Sequence, residues 1–146
     1  MSSKKDPFTQ ERQYLAIKHS SAGALQALES MVQELGFTSI TARSYPAFID
    51  LYKLNDRKVV AVLYQLEPRG EQYPQQHRLI SPQEIITSIQ RRNSHVPFIA
   101  LYTSGPQTPP ADTLLNFGVN AVLQYPITKI LLEEKLNNLG IKKQER

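Results

Sequence analysis

Apolar residues along this chain form short continuous runs separated by longer, more polar segments. Five runs, at 14–17, 37–42, 59–64, 96–102 and 120–124, have the length and the content of β-branched or aromatic residues expected of strands. The third run is apolar throughout, which is typical of a parallel strand covered on both faces. The pattern therefore predicts five strands, with the third near the centre of a sheet.

The segments between these runs have apolar residues at helical spacing. After the first strand, Leu25, Leu28 and Val32 share one helical face, and Gly36 supplies a helix end. Four further helices are predicted, starting at Pro46, Ser81, Ala111 and Thr128. Alternation of five strands and five helices predicts an α/β fold of the flavodoxin-like class. We expect a doubly wound, five-stranded parallel sheet of order 2-1-3-4-5.

Composition narrows the classes of protein that this chain can represent. Its 146 residues suit one domain, and it has no cysteine for disulfides, thiolate metal sites or thiol catalysis. No apolar run approaches the roughly 20 residues of a membrane helix, and no secretory signal is recognisable, so we expect a cytoplasmic protein. The net charge of +4 comes mostly from polar ends and scattered residues. A solvated surface is favoured over a nucleic-acid-binding stripe, because the interior basic residues are scattered among carboxylates and the tight pair Arg91-Arg92 merely follows a helical pattern.

Several stretches, in order, resemble the receiver domains of bacterial response regulators, the CheY-like superfamily. Residues 96–101 resemble the proline-led fourth strand, and residues 116–121 resemble the glycine corner before the fifth. Residues 123–127 resemble the "Leu-x-Lys-Pro-Ile" signature, and residues 62–68 resemble the third strand with its proline-ended loop. The resemblance covers residues 13–139, with an insertion at about 67–80. It leaves a polar N-terminal extension at 1–12 and a polar tail or linker at 140–146.

The resemblance also implies where the working residues of a receiver would fall. They are an acidic pair that holds magnesium, a phosphoacceptor aspartate, a hydroxyl residue, a lysine and a switch aromatic. The corresponding residues are His19 and Ser20 for the acidic pair, Tyr64 for the phosphoacceptor, Tyr102 (with Thr103 as the register alternative) for the hydroxyl, Tyr125 for the lysine and Val122 for the aromatic.

These replacements remove the chemistry of aspartyl phosphorylation. That chemistry needs a carboxylate nucleophile, carboxylate oxygens for Mg²⁺ and a cation that offsets the phosphoryl charge. A one-residue shift of the alignment cannot restore so many positions together. The sequence therefore predicts a degenerate, phosphorylation-independent pseudo-receiver with no catalytic residues, no metal and no cofactor. An enzyme is disfavoured, because no nucleophile–base pair or Gly-rich phosphate loop is recognisable.

The replaced positions leave two interpretations open. Tyr64, Tyr102 and Tyr125 would end strands at the same sheet edge, where they either fill the former site or line a small-molecule pocket. Packing is the more common role of such rings. His19 is expected to be a polar residue at a strand end rather than a general base or metal ligand.

The inserted segment also has two interpretations. Arg69, Tyr73, His77 and Arg78 would form a partner-binding patch if the segment is ordered. A tolerated, disordered insertion is favoured at least as much, since long loops are often either functional or mobile.

Loss of phosphorylation favours a signalling module that works through protein–protein interaction, as a stand-alone adaptor or as the regulatory N-terminal domain of a response regulator or transcription regulator. The alternative is a small-molecule sensor. The resemblance implies partner binding or homodimer formation through the fourth helix, fifth strand and fifth helix. Direct nucleic-acid or membrane binding is not expected, because the sequence has no recognition-helix signature, no focused basic patch and no long apolar run. The candidate interaction face comprises Asp112, Asn116, Gln124, Lys129, Glu133 and Lys135.

Overall fold

A five-stranded parallel sheet forms the centre of the computed structural model, which describes residues 13–73, 78–102 and 111–141. In chain order the elements are β1 (Tyr14–Lys18), α1 (Ala22–Glu34), β2 (Thr38–Ala42), α2 (Tyr45–Asn55), β3 (Val59–Gln65), β4 (Glu71–Tyr73), β5 (Arg78–Ile80), α3 (Pro82–Arg92), β6 (Phe98–Tyr102), α4 (Ala111–Asn116), β7 (Ala121–Gln124) and α5 (Lys129–Asn138).

The strand order of the main sheet is β2-β1-β3-β6-β7, with every neighbouring pair parallel. Once the short β4–β5 hairpin is set aside, this is the predicted order 2-1-3-4-5, and the predicted fold class is confirmed. Within the described ranges, no helix combines the length and hydrophobicity needed to cross a bilayer.

Hydroxyl side chains set the starts of four helices. Ser21, Ser44, Ser81 and Thr128 each accept a hydrogen bond from a main-chain N–H in the first turn of α1, α2, α3 and α5 respectively. In α3 the Glu84 carboxylate in turn accepts a hydrogen bond from the N–H of Ser81, which completes a capping box. These caps satisfy N–H groups that a helix start leaves without partners.

Alternation along the strands divides the core into two layers. Leu15 and Ile17 of β1 face α1 and α5, whereas Ala16 faces the layer built with α2, α3 and α4. In β3, Leu63 joins the first layer and Tyr64 the second. Side chains on consecutive strand residues point to opposite faces, so both sides of the sheet need apolar cover.

The segment after β3, which the sequence predicts to be an insertion, forms an antiparallel hairpin over its described residues. Strands β4 and β5 pair antiparallel, with Glu71 opposite Ile80. Gly70 precedes β4 with a φ of +88°, and a Cβ there would collide with the Ile80 carbonyl oxygen. Only glycine fits this close approach without strain. The hairpin therefore packs in one specific way at the sheet edge where β3 ends.

Of the four residues of the suggested partner patch, Arg69 and Arg78 are exposed. Tyr73 is half-buried, and its ring packs edge to face on Tyr45 with centroids 5.7 Å apart. His77 lies outside the described residues. Tyr73, one residue of the suggested patch, therefore packs within the domain.

Candidate functional site

A buried lysine occupies the end of β1. Lys18 is 1 % exposed, and it pairs in register with Tyr64 of β3. Its Nζ atom donates to the main-chain oxygen of Gln65 at 3.0 Å and to the side-chain Oε1 of Gln65 at 3.3 Å. It also lies 5.0 Å from the centre of the Tyr64 ring. A charge so removed from water requires a close counter-ion.

The counter-ion comes from the inserted hairpin. Oε2 of Glu71 lies 2.9 Å from the Lys18 Nζ atom, and the exposed fraction of the Glu71 side chain is 8 %. The same oxygen accepts a 2.7 Å hydrogen bond from the Tyr64 hydroxyl, and Oε1 accepts a 2.9 Å bond from the N–H of Tyr45. Every strong bond of this carboxylate links a different element of the fold, so Glu71 joins β1, β3, α2 and β4.

Tyr64, at the predicted phosphoacceptor position, is fully buried. Its ring contacts Phe48 edge to face and Phe98 at a tilt, with centroids 5.2 and 5.7 Å away. Burial, followed by the negative charge of Glu71, raises the pKa of the Tyr64 phenol far above its ordinary value of 10.0. The phenol therefore stays protonated and donates its hydrogen bond to Glu71. In this arrangement Tyr64 is a packing residue and a hydrogen-bond donor.

The predicted acidic-pair positions lie directly after β1. Nδ1 of His19 accepts a 3.0 Å bond from the N–H of Ser21, and the His19 ring packs edge to face on Tyr125 at 5.7 Å. Burial and then the charge of Lys18 lower the pKa of His19, with an opposing effect of Glu67. His19 is thus a packed side chain directly after β1, with its neutral form favoured.

Ser20 contributes main-chain groups to the same region. Its N–H donates to Oε1 of Gln65 at 3.1 Å, and its carbonyl oxygen accepts two bonds from the Arg43 guanidinium at 2.9 and 3.2 Å. The Nε2 atom of Gln65 donates to Glu67 at 3.0 Å. Gln65 therefore connects the chain after β1 with the chain after β3.

The three strand-end tyrosines do not form one cluster. Tyr64 and Tyr102 pack with the α2–α3–α4 layer, whereas Tyr125 packs with the α1–α5 layer. Tyr102 donates a long, 3.5 Å bond to Gln124, and Val122 is half-buried beside the same layer as Tyr102. The expectation of three phenols sharing the former site is therefore wrong, because strand alternation places them on two faces. Thr103 lies outside the described residues.

The residues at this edge do not fit a magnesium ion. His19 and Ser20 offer no carboxylate, and the nearby carboxylates of Glu67 and Glu71 lie 3.9 and 2.9 Å from the Lys18 ammonium. Among residues that the structure describes, no group of three His, Asp or Glu side chains converges as a metal site would. The Lys18 ammonium already offsets the charge of the carboxylates that a hard cation would need as ligands.

The candidate interaction face is mostly exposed. Lys129 lies 3.2 Å from Glu34 of α1, so its charge faces α1, and Lys135 is half-buried. The remaining four residues of the face are exposed: Asp112, Asn116, Gln124 and Glu133. Large apolar side chains are also exposed on the two helices of this face: Leu115 on α4, and Ile130 and Leu131 on α5.

Sequence reasoning missed Lys18, Gln65 and Glu71. Lys18 shares the parity of Ala16 in an otherwise apolar strand, so the alternation of β1 was a usable signal for an inward-facing charge. Glu71 carried no comparable signal, since it stands in a polar segment where a carboxylate is ordinary. Its partner is 53 residues away in the sequence, and only the folded chain brings the two together.

No known family profile and no curated protein matches this chain in sequence. In three dimensions it is similar to a response regulator receiver domain protein from Clostridium thermocellum, with a TM-score of 0.70 and 20 % identity, covering 88 % of this chain and 93 % of that one. It is similar to a response regulator receiver protein from Burkholderia phymatum, with a TM-score of 0.65 and 19 % identity, covering 92 % and 100 %.

A third similar structure is the signal receiver domain of an HD domain-containing protein from Pseudomonas fluorescens, with a TM-score of 0.65 and 19 % identity, covering 89 % of this chain and 88 % of that one. Identities at this level establish a shared architecture and do not establish shared chemistry. The chain therefore has the CheY-like receiver fold.

Proposed function

We propose that this chain is a phosphorylation-independent, receiver-like signalling domain that works in the cytoplasm through protein–protein interaction and has no catalytic activity of its own. The observation that carries the proposal is the buried contact of Lys18 with Glu71 and Tyr64 at the edge where a receiver would be phosphorylated. Within this contact an internal carboxylate already neutralises the cation, and the phosphoacceptor position is a buried phenol. The domain is thus held in one arrangement without a phosphoryl group.

The exposed face of α4, β7 and α5 supports the second half of the proposal. Helices α4 and α5 carry exposed apolar side chains as well as polar ones, and Ile130 of α5 is 74 % exposed. Apolar anchors within a polar rim are the usual anatomy of a protein–protein interface. We propose that this face binds a partner protein or a second copy of the chain. Such a domain suits the regulatory part of a longer regulator or a separate adaptor.

The small-molecule alternative at the tyrosine-lined edge is less well supported. Tyr64 is fully buried, and the three phenols lie on two faces of the sheet. No specific observation at that edge favours a ligand over packing.

Beryllium fluoride with Mg²⁺, a mimic of the phosphoryl group on receivers, tests the first half of the proposal. Amide chemical shifts of Lys18, Tyr64 and Glu71 should not change on titration beyond the effect of Mg²⁺ alone. A saturable shift centred on these residues would establish a working phospho-switch and overturn the proposal.

Sedimentation velocity over a range of concentrations tests the interaction face for self-association. We expect the sedimentation coefficient to rise with concentration in the natural chain and to rise less in Ile130→Asp. Leu54→Asp is the matched control, because Leu54 is 81 % exposed on α2 and lies outside this face. A monomer at every concentration, or an equal effect of both variants, would exclude homodimer formation through this face.

A further inference from the structure

A groove of about 510 Å³ lies between the β4–β5 hairpin and α3, and neither Lys18 nor Tyr64 lines it. Its volume falls within the range of about 300–1,000 Å³ that is usual for small-molecule sites. Tyr45, Tyr73 and Ile80 form an aromatic and apolar wall, and polar residues of α3 line the other side. The groove owes this wall to the inserted hairpin, which contributes Tyr73 and Ile80.

The aromatic wall is fixed by specific contacts. The rings of Tyr45 and Tyr73 meet edge to face, with an interplanar angle of 89°. The Tyr45 hydroxyl lies 2.8 Å from Oγ of Ser88, which donates its own proton to the carbonyl oxygen of Ile85 at 3.0 Å. Tyr45 is therefore the donor of the bond between the two hydroxyls. The two perpendicular rings form a fixed aromatic corner against which a third ring can pack.

One cation at the groove has no counter-ion within the described part of the chain. Arg91 is exposed and makes no hydrogen bond or ion pair with any residue that the structure describes. The neighbouring arginines differ, since Arg78 lies 3.1 Å from Glu84 and Arg92 lies 3.7 Å from Asp56. Arg91 follows Ser88 by three residues, so its guanidinium belongs to the same face of α3 as the Tyr45–Ser88 bond.

We propose that this groove binds a small aromatic anion, with its carboxylate or phosphate on Arg91 and its ring against Tyr73 and Tyr45. The planar guanidinium forms paired hydrogen bonds with either oxyanion. An aromatic ring gains both apolar contact and favourable edge-to-face geometry from the two tyrosines. The proposal goes beyond the signalling function above, since it needs neither the Lys18 site nor the α4–β7–α5 face.

An NMR titration of the full chain with phenyl phosphate and, separately, with benzoate tests the proposal. Saturable shifts are expected at the amides of Tyr73, Thr87, Ser88 and Arg91 with at least one of these probes. Inorganic phosphate, which carries the charge without the ring, should bind about tenfold more weakly. Equal affinity for inorganic phosphate, or shifts spread over all basic residues, would overturn the proposal in favour of non-specific charge attraction.

Two variants and a matched control complete the test. Arg91→Gln and Tyr73→Leu should each weaken binding by about tenfold. Arg57→Gln removes the same charge from an exposed residue outside the groove and should leave affinity unchanged. Unchanged affinity in Arg91→Gln would overturn the proposal even if Tyr73→Leu perturbs the hairpin. The outcome with beryllium fluoride is independent of these results, so the two proposals fail or succeed separately.

Discussion

The Nζ atom of Lys18 lies 2.9 Å from Oε2 of Glu71, and this ion pair joins the end of β1 to the hairpin inserted after β3. Both side chains are almost completely removed from solvent. A pair of this kind stabilises little relative to an apolar replacement, but it is costly to break, because the remaining charge stays buried. The contact therefore holds the hairpin at the sheet edge mainly because a buried charge without its partner is costly, and less because the pair itself is stabilising.

Removal of the Glu71 charge should destabilise the domain severely. Glu71→Gln keeps the size of the side chain but leaves the Lys18 ammonium without a close anion, at an expected cost of about 3–5 kcal/mol in the free energy of unfolding. Urea denaturation followed by circular dichroism measures this cost. The matched control Glu34→Gln breaks the exposed pair with Lys129 and should cost about 0–1 kcal/mol.

A double variant separates the loss of the pair from the burial of an unpaired charge. Lys18→Met combined with Glu71→Gln should recover most of the stability lost in Glu71→Gln alone, because no charge then remains in the site and an amide oxygen can still accept from the buried donors of Tyr64 and Tyr45. Stability as low as that of the single variant would contradict this account of the pair.

The Tyr64 hydroxyl should contribute to stability, whereas the Tyr125 hydroxyl should not. Tyr64→Phe removes a 2.7 Å donor to a buried carboxylate and should cost about 1.5–3 kcal/mol. The Tyr125 hydroxyl is buried and has no hydrogen-bond partner among the described residues, so Tyr125→Phe should be neutral or slightly stabilising. Both values follow from chemical denaturation at neutral pH. Equal costs in the two variants would mean that the hydrogen bond to Glu71 carries no net stability.

Gly70 should tolerate alanine less well than Gly140. Both residues have positive φ, of +88° and +81°, and each substitution should cost about 1–2 kcal/mol for the left-handed backbone alone. Only at Gly70 does the added Cβ meet the Ile80 carbonyl oxygen, which should add about 1–3 kcal/mol. The difference between the two midpoints of thermal unfolding isolates the contribution of hairpin closure, and similar midpoints would contradict it.

His19 should make the domain less stable below its ordinary pKa of 6.5. The folded-state pKa is lowered by burial and by Lys18, so the unfolded chain binds more protons in this range, and the free energy of unfolding rises with pH. Stability is complete above 6.5 and is lost as the pH falls from 6.5 through the folded-state pKa. His19→Asn keeps an acceptor for the Ser21 N–H and should flatten this part of the curve of unfolding free energy against pH. An unchanged slope would assign the loss to other groups.

The sequence by itself determined the fold of this protein. Strand and helix periodicity, helix caps and glycine stops are local signals, and right-handed crossovers leave few ways to assemble five βα units. The five strands, the five helices and their order in the sheet followed from these signals. The resemblance to receiver domains, and not these signals, pointed to His19, Ser20 and Tyr64, of which the first two directly follow β1 and the third is the penultimate residue of β3.

Only the tertiary structure decided what fills that edge. The pairing of Lys18 with Glu71 joins residues that are 53 positions apart. Glu71 lies in a segment whose local sequence does not predict where the hairpin packs. The division of Tyr64 and Tyr125 between two faces likewise depends on strand register, which is set by the assembled sheet. Long-range charge pairing and strand register depend on how whole elements pack together, so they cannot be predicted from a local pattern of residues.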